Sequence, residues 1–95
     1  MLESKVQKDI QKLLDKRGAY VVKVISGNRR GIPDLLVCYK GQFLGFEVKT
    51  PATWNKASPL QLKNIEMIRK ANGMAHVVWE VEQVKDFLDL IDETI

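Results

Sequence analysis

Two apolar runs, 32–39 and 42–50, meet at Lys40-Gly41, and no other feature restricts the fold so much. A two-residue link containing glycine between β-branched and aromatic runs predicts a tight β-hairpin. With Lys40-Gly41 as the turn, Tyr39 pairs with Gln42, and stepping outward along the two strands brings Asp34 opposite Glu47. Directly opposed residues have Cβ atoms ~5 Å apart, and two like charges there are destabilising. Lys49 stands two positions after Glu47 and shares its face. Something cationic must therefore lie between the carboxylates, either a divalent metal or the Lys49 ammonium. Pro33 can open a strand but cannot donate to the ladder, so pairing is expected from about Asp34, at the end of the sheet.

The flanking sequence supplies the other layers. Residues 3–17 read as an amphipathic helix with Val6, Ile10, Leu13 and Leu14 on one stripe and Gly18 beyond its end. Residues 19–25 form a strand, and 26–31 a glycine-bounded basic loop containing Arg29 and Arg30. Ser58-Pro59-Leu60-Gln61 predicts a helix start, with Ser58 as cap, Pro59 in the first turn and Gln61 completing a capping box. That helix runs to about Ala71 on an inner stripe of Leu62, Ile65 and Ile68, and Asn72-Gly73 stops it. Residues 74–80 form a fourth strand, and Val84, Phe87, Leu88 and Ile91 mark a closing helix. The expected order is α-β-β-β-α-β-α: an antiparallel meander, a helical crossover and a mixed four-stranded sheet flanked by helices, an α/β fold.

Ninety-five residues are expected to make one domain, residues 1–95, with one core. No apolar run approaches the ~18 residues of a membrane span, and no signal-peptide pattern opens the chain. The lone cysteine, Cys38, reads as a core residue and points to a reducing, intracellular setting, including that of a virus-encoded protein in its host cell. Residues 1–79 hold 14 Lys/Arg and 6 Asp/Glu, whereas residues 80–95 hold one lysine and six acids. A basic body with an acidic end favours a polyanionic partner, with a merely solvated surface as the alternative.

Two opposed carboxylates without a histidine cluster favour a hard, oxygen-seeking ion such as Mg²⁺ or Mn²⁺ over zinc. A structural Asp/Glu/Lys salt-bridge cluster is the plain alternative. Gly31-Ile32-Pro33-Asp34, then twelve residues, then Glu47-Val48-Lys49-Thr50-Pro51 resembles the PD-(D/E)XK nuclease signature. The continuation Ser58-Pro59-Leu60-Gln61 and the opening Glu3-Ser4 resemble the VRR-NUC branch, the virus-type replication-repair nucleases, which are similar to Holliday-junction resolvases.

The resemblance implies a minimal restriction-endonuclease-like core over nearly the whole chain. It implies that Asp34 and Glu47 ligate the metal together with the Val48 carbonyl. Lys49 would hold or activate the attacking water, and Gln61 would reach the active site. Glu3 lies at the N-terminal end of its helix's apolar stripe and is either a further site carboxylate or a partner of the helix dipole. Gln61 is expected to choose between its capping role and the site, since one side chain could hardly serve both.

Arg29, Arg30, Ser26 and Lys56 are the expected DNA contacts, with a merely solvated loop as the alternative for Arg29 and Arg30. Trp54 is open between base stacking, a subunit interface and core packing. His76 and Trp79 read as structural. The function the resemblance implies is a Mg²⁺- or Mn²⁺-dependent endonuclease that selects branched DNA by structure, and a chain with little room for a base-reading module agrees. Two symmetric cuts in a four-way junction need two sites, so a homodimer is expected. The rivals are a restriction-type or flap nuclease on the same core, and a non-catalytic basic DNA-binding module.

Overall fold

In the computed structural model, which describes residues 1–94, Lys40 and Gly41 take φ of 49° and 80°. Positive φ at both central residues is the signature of the twisted two-residue hairpin turn. The turn joins β2 (Leu35–Tyr39) to β3 (Gln42–Val48). Tyr39 faces Gln42 and Leu35 faces Phe46, so the next step outward sets Asp34 against Glu47, as the sequence predicts.

Around the hairpin lie α1 (Glu3–Lys16), β1 (Tyr20–Lys23), α2 (Pro59–Lys70), β4 (Met74–Val78) and α3 (Val81–Thr94), in the expected order. The sheet runs β1-β2-β3-β4. Its first three strands are antiparallel, and β4 lies parallel to β3 after the α2 crossover.

Alternation along the strands gives the sheet two different faces. On one, Leu35, Val37, Tyr39, Leu44, Phe46, Val48 and Val78 pack against Val6, Ile10 and Leu14 of α1 and Val84, Leu88 and Ile91 of α3. Full burial of each such aliphatic or aromatic side chain stabilises by about 1.5–3 kcal/mol. The other face carries Asp34, Gly45, Glu47 and Lys49, and α2 lies across it. A Cβ on Gly45 would come within 3.0 Å of Ile68 Cδ1 and 3.1 Å of Pro33 Cγ, so glycine there lets helix and loop close over the strand.

Three expectations need correction. Cys38 is exposed, not core, because α2 covers the β3–β4 side of its face and leaves Tyr20 (71 % exposed), Val22 and Phe43 open beside it. Leu62 is 49 % exposed, and Asn64 is the buried residue beside Ile65. The fourth strand ends at Val78, because the Gln83 side-chain oxygen accepts from the Trp79 and Glu80 amides and turns the chain into α3.

The acidic end of the chain is used internally. Arg17 bridges Asp89 at 2.9 Å and Asp92 at 2.8 Å, while Lys40 and the Tyr39 hydroxyl also hold Asp92. Lys40, Tyr39 and Arg17 together pull the Asp92 carboxyl down to about 2. Among the described residues no helix is long and apolar enough to cross a membrane.

Candidate active site

Asp34 is fixed by the geometry that ends β2. Pro33 has no N–H to donate, so β2–β3 pairing starts at Leu35, one residue later than expected. The Asp34 carbonyl still accepts from Val24 at 2.8 Å, and its carboxylate Oδ2 accepts the Val48 amide at 2.8 Å. Residue 48 thus contributes a backbone donor that orients Asp34, an interaction the sequence reading did not foresee.

Glu47 is only 2 % exposed. Its Oε2 lies 3.6 Å from Lys49 Nζ and accepts from Gln61 Nε2 at 3.0 Å, whereas its Oε1 is buried with no hydrogen-bond partner. Burial, first of all, pushes the Glu47 carboxyl up to about 8. The Asp34 charge and a hydrogen bond with Asp34 add to the rise, Lys49 opposes it, and Glu3 adds the smallest push. The orphaned Oε1 and the hydrogen bond describe two protonation states. Ionised, Oε1 lacks a donor; protonated, the carboxyl can share its hydrogen with Asp34.

Gln61 does not choose between its two expected roles. Its Oε1 accepts from the Ser58 amide at 2.8 Å, the Ser58 hydroxyl accepts from the Gln61 amide at 3.1 Å, and the Gln61 Nε2 donates to Glu47. The capping box is complete, and the same side chain reaches the carboxylate. A primary amide has an acceptor end and a donor end, so one conformation serves both.

The remaining candidates lie around this centre. Glu3 opens α1 and is exposed. Among the described residues no three His, Cys, Asp or Glu side chains come together as a metal-binding group, so Glu3 does not join Asp34 and Glu47 in one cluster. Ser26, Arg29, Arg30 and Lys56 are exposed on the loops before Asp34 and after Lys49.

Asn64, buried in α2, donates to the carbonyls of Arg30 and Leu60 at 2.8 and 2.9 Å and ties the arginine loop to the helix. Gly31, at φ 78°, lies so close to Leu60 that a Cβ would fall 2.7 Å from its carbonyl oxygen. Arg29, Arg30 and Lys63 consequently line one groove of about 360 Å³ beside α2. Lys63 and Asn64 were missed in the sequence. A polar residue next to Ile65 on the helix's inner side was the available signal for Asn64.

The donor set suits a hard cation. Two carboxylates, one of them with a buried unpaired oxygen, are hard oxygen donors of the kind divalent ions such as Mg²⁺ take, and among the described residues no third ligating side chain joins them.

Residues 3–93 match the family described as archaeal Holliday junction resolvase (Hjc). A solved structure described as a VRR_NUC domain superposes with a TM-score of 0.76 and 32 % identity, over 92 % of this chain and 94 % of that one. None of the curated proteins searched matches. The chain therefore belongs to the archaeal Holliday junction resolvase family and has the PD-(D/E)XK fold it shares with VRR-NUC domains.

Proposed function

We propose that this chain is a metal-dependent endonuclease, a single domain that hydrolyses phosphodiester bonds in branched DNA and acts as a homodimer. The observation that carries this reading is a buried Glu47 carboxyl opposite Asp34 whose Oε2 is held by Lys49 and Gln61 while its Oε1 has no partner. Once Glu47 is ionised that oxygen has no donor, and a buried unpaired acceptor costs about 1–3 kcal/mol, a cost that a bound cation would relieve.

Asp34, Glu47 and the Val48 carbonyl would hold Mg²⁺ or Mn²⁺, with Glu3 as a candidate for contacts made through water. A bound divalent ion supplies Lewis-acid polarisation of a phosphoryl oxygen. The chain's own residues do the rest. Lys49, half-buried and within 3.6 Å of Glu47, holds the attacking water and places positive charge where negative charge develops. Gln61 is a positioning residue that keeps Glu47 Oε2 in place. The Val48 amide does the same for Asp34. Arg29, Arg30 and Lys63 receive phosphates of the substrate strand, and Ser26 and Lys56 contact the backbone to either side.

A strand-nicking assay on a four-way junction and on linear duplex, with Mg²⁺, Mn²⁺ or EDTA, tests this. The expected result is cleavage of the junction with either ion and none in EDTA. Binding without cleavage under every condition would instead make the chain a non-catalytic DNA-binding module. Equal cutting of linear duplex would indicate a restriction-type nuclease.

A further inference from the structure

Helix α2 separates two grooves. Leu60, Asn64 and Met67 border the basic one. Leu62, Glu66 and Arg69, on the opposite flank, border a second groove of about 490 Å³. Its floor is Val77 and Trp79. Val77 is the register partner of Glu47, and the Lys49 amide donates to the Val78 carbonyl at 2.8 Å. Neighbouring strands lie ~4.8 Å apart, so this groove begins one strand away from the carboxylate pair.

Its wall is Trp54, whose ring centroid lies 5.5 Å from that of Trp79 with the planes inclined by 40°. Trp54 is 51 % exposed. An indole that only filled a core would be covered. This one is also held in place. The Thr50 amide donates to Thr53 Oγ1 at 2.9 Å, the two threonine hydroxyls lie 3.0 Å apart, and the Thr53 amide returns to the Thr50 carbonyl at 2.9 Å. Across the groove, Arg69 is pinned by the Ala75 carbonyl and the His76 ring. The rim thus mixes the Asn55 amide, the Glu66 carboxylate and the Arg69 guanidinium. A carboxylate beside an arginine discourages a phosphate but suits the donor and acceptor edge of a base.

We propose that this groove receives an unstacked nucleobase of the strand whose phosphate lies at Asp34, Glu47 and Lys49, with Trp54 as the stacking surface. The identity of that strand rests on the nuclease reading; the groove's affinity for a base does not. Intact duplex keeps its bases stacked and offers nothing to this groove, whereas nucleotides at a branch point are already partly released. The groove therefore contributes to selection for branched DNA chiefly through stacking, which any base supports.

The test uses four-way junctions carrying 2-aminopurine at single positions around the branch point, bound in EDTA so that metal-dependent cutting cannot intervene. The parent is expected to quench the fluorophore at one or two positions and to leave a fully paired duplex control unchanged. Trp54→Leu, which keeps apolar bulk but removes the π face, should abolish the quenching and weaken junction binding roughly 5- to 150-fold, the range for loss of one stacking aromatic. Trp54→Phe should retain most of both, and the melting temperatures of both variants should stay near the parent's. No quenching at any position by the parent, or parent-like quenching and affinity in Trp54→Leu, overturns the proposal even if the enzyme cuts. Conversely, a Trp54-dependent signal in a protein that never cleaves with Mn²⁺ supports the groove and removes the nuclease reading.

Discussion

The Gln61 side chain accepts from the Ser58 amide at 2.8 Å and donates to Glu47 Oε2 at 3.0 Å, so one amide joins a helix cap to a buried carboxylate. The start of α2 and the orientation of the site are therefore one structural unit. A capping residue that served only the helix would leave Glu47 dependent on Lys49 alone.

Gln61→Glu should separate the two functions. It keeps an acceptor for Ser58 but replaces the donor to Glu47 with a third negative charge. The expected outcome is a lower metal-free melting temperature at pH 8 and a sharp loss of cleavage. Ser58→Ala removes a cap contact worth about 1 kcal/mol and should leave cleavage within a few fold. Parent-like melting and cutting in Gln61→Glu would reduce the Glu47 contact to an incidental one.

The pH dependence of metal-free stability should show Glu47. Its folded carboxyl titrates at about 8 against a usual value of 4.5, so between those limits the folded chain holds a proton that the unfolded chain has lost. This contribution is fully present below about pH 4.5 and disappears as pH rises through about 8. His76, lowered by burial and by Arg69, is largely neutral in both states from about one pH unit above its usual 6.5, so the upper part of the window reports Glu47. Melts in EDTA from pH 6.5 to 9 should fall in the parent and be flatter in Glu47→Gln. Equal slopes would contradict the raised carboxyl.

Asp34→Asn removes one of two opposed charges at nearly constant shape and keeps an oxygen for the Val48 amide. In EDTA at pH 8 or above it should melt higher than the parent while cleavage is abolished, a trade expected where a functional site is strained. Mn²⁺ should raise the parent's melting temperature through binding to the folded state and raise the variant's much less. A variant that melts lower in EDTA and responds equally to Mn²⁺ would identify the pair as structural.

Lys49→Ala should leave junction affinity within a few fold, because one cation among 15 Lys/Arg carries little of the phosphate attraction. Its cleavage rate should drop on the order of 10²-fold or more, the scale of one lost transition-state stabiliser. Arg29→Ala and Lys63→Ala should do the reverse. Each should weaken binding and reduce the salt-dependence slope by about one, with a smaller effect on saturated cleavage. Titrations at several salt concentrations beside single-turnover assays measure both.

The parts of this fold legible in sequence are those set by local chemistry. Lys40-Gly41 fixed the hairpin register and so the Asp34–Glu47 opposition, and Ser58-Pro59 with Gln61 fixed the start of α2. Less legible was anything that depends on where a helix lies across the sheet. Cys38 sits on an alternating apolar strand, yet α2 stops short of it, so periodicity alone misplaced it in the core. Leu62 belongs to an apolar stripe but borders the Trp54 groove, while polar Asn64 is buried because the carbonyls of Arg30 and Leu60 accept both its hydrogens. The double duty of Gln61 was hidden for a different reason. Sequence shows one side chain at one place, and only coordinates show that its two ends have different partners.

The two-residue turn at Lys40-Gly41 also has a kinetic consequence. The contact it closes is among the most local in the chain, whereas the parallel pairing of β3 with β4 must wait for α2 to fold and cross over. Local contacts form early and non-local ones late. Closing the hairpin alone thus sets Asp34 against Glu47 and supplies the Val48 amide to Asp34, whereas the Gln61 amide reaches Glu47 only when α2 docks. An interaction already felt at the barrier changes the folding rate and leaves the unfolding rate nearly untouched. Only the smaller part of the site's electrostatic cost, the opposition of the two charges, belongs to the hairpin; the larger part, burial of Glu47, belongs to the docking of α2 over it.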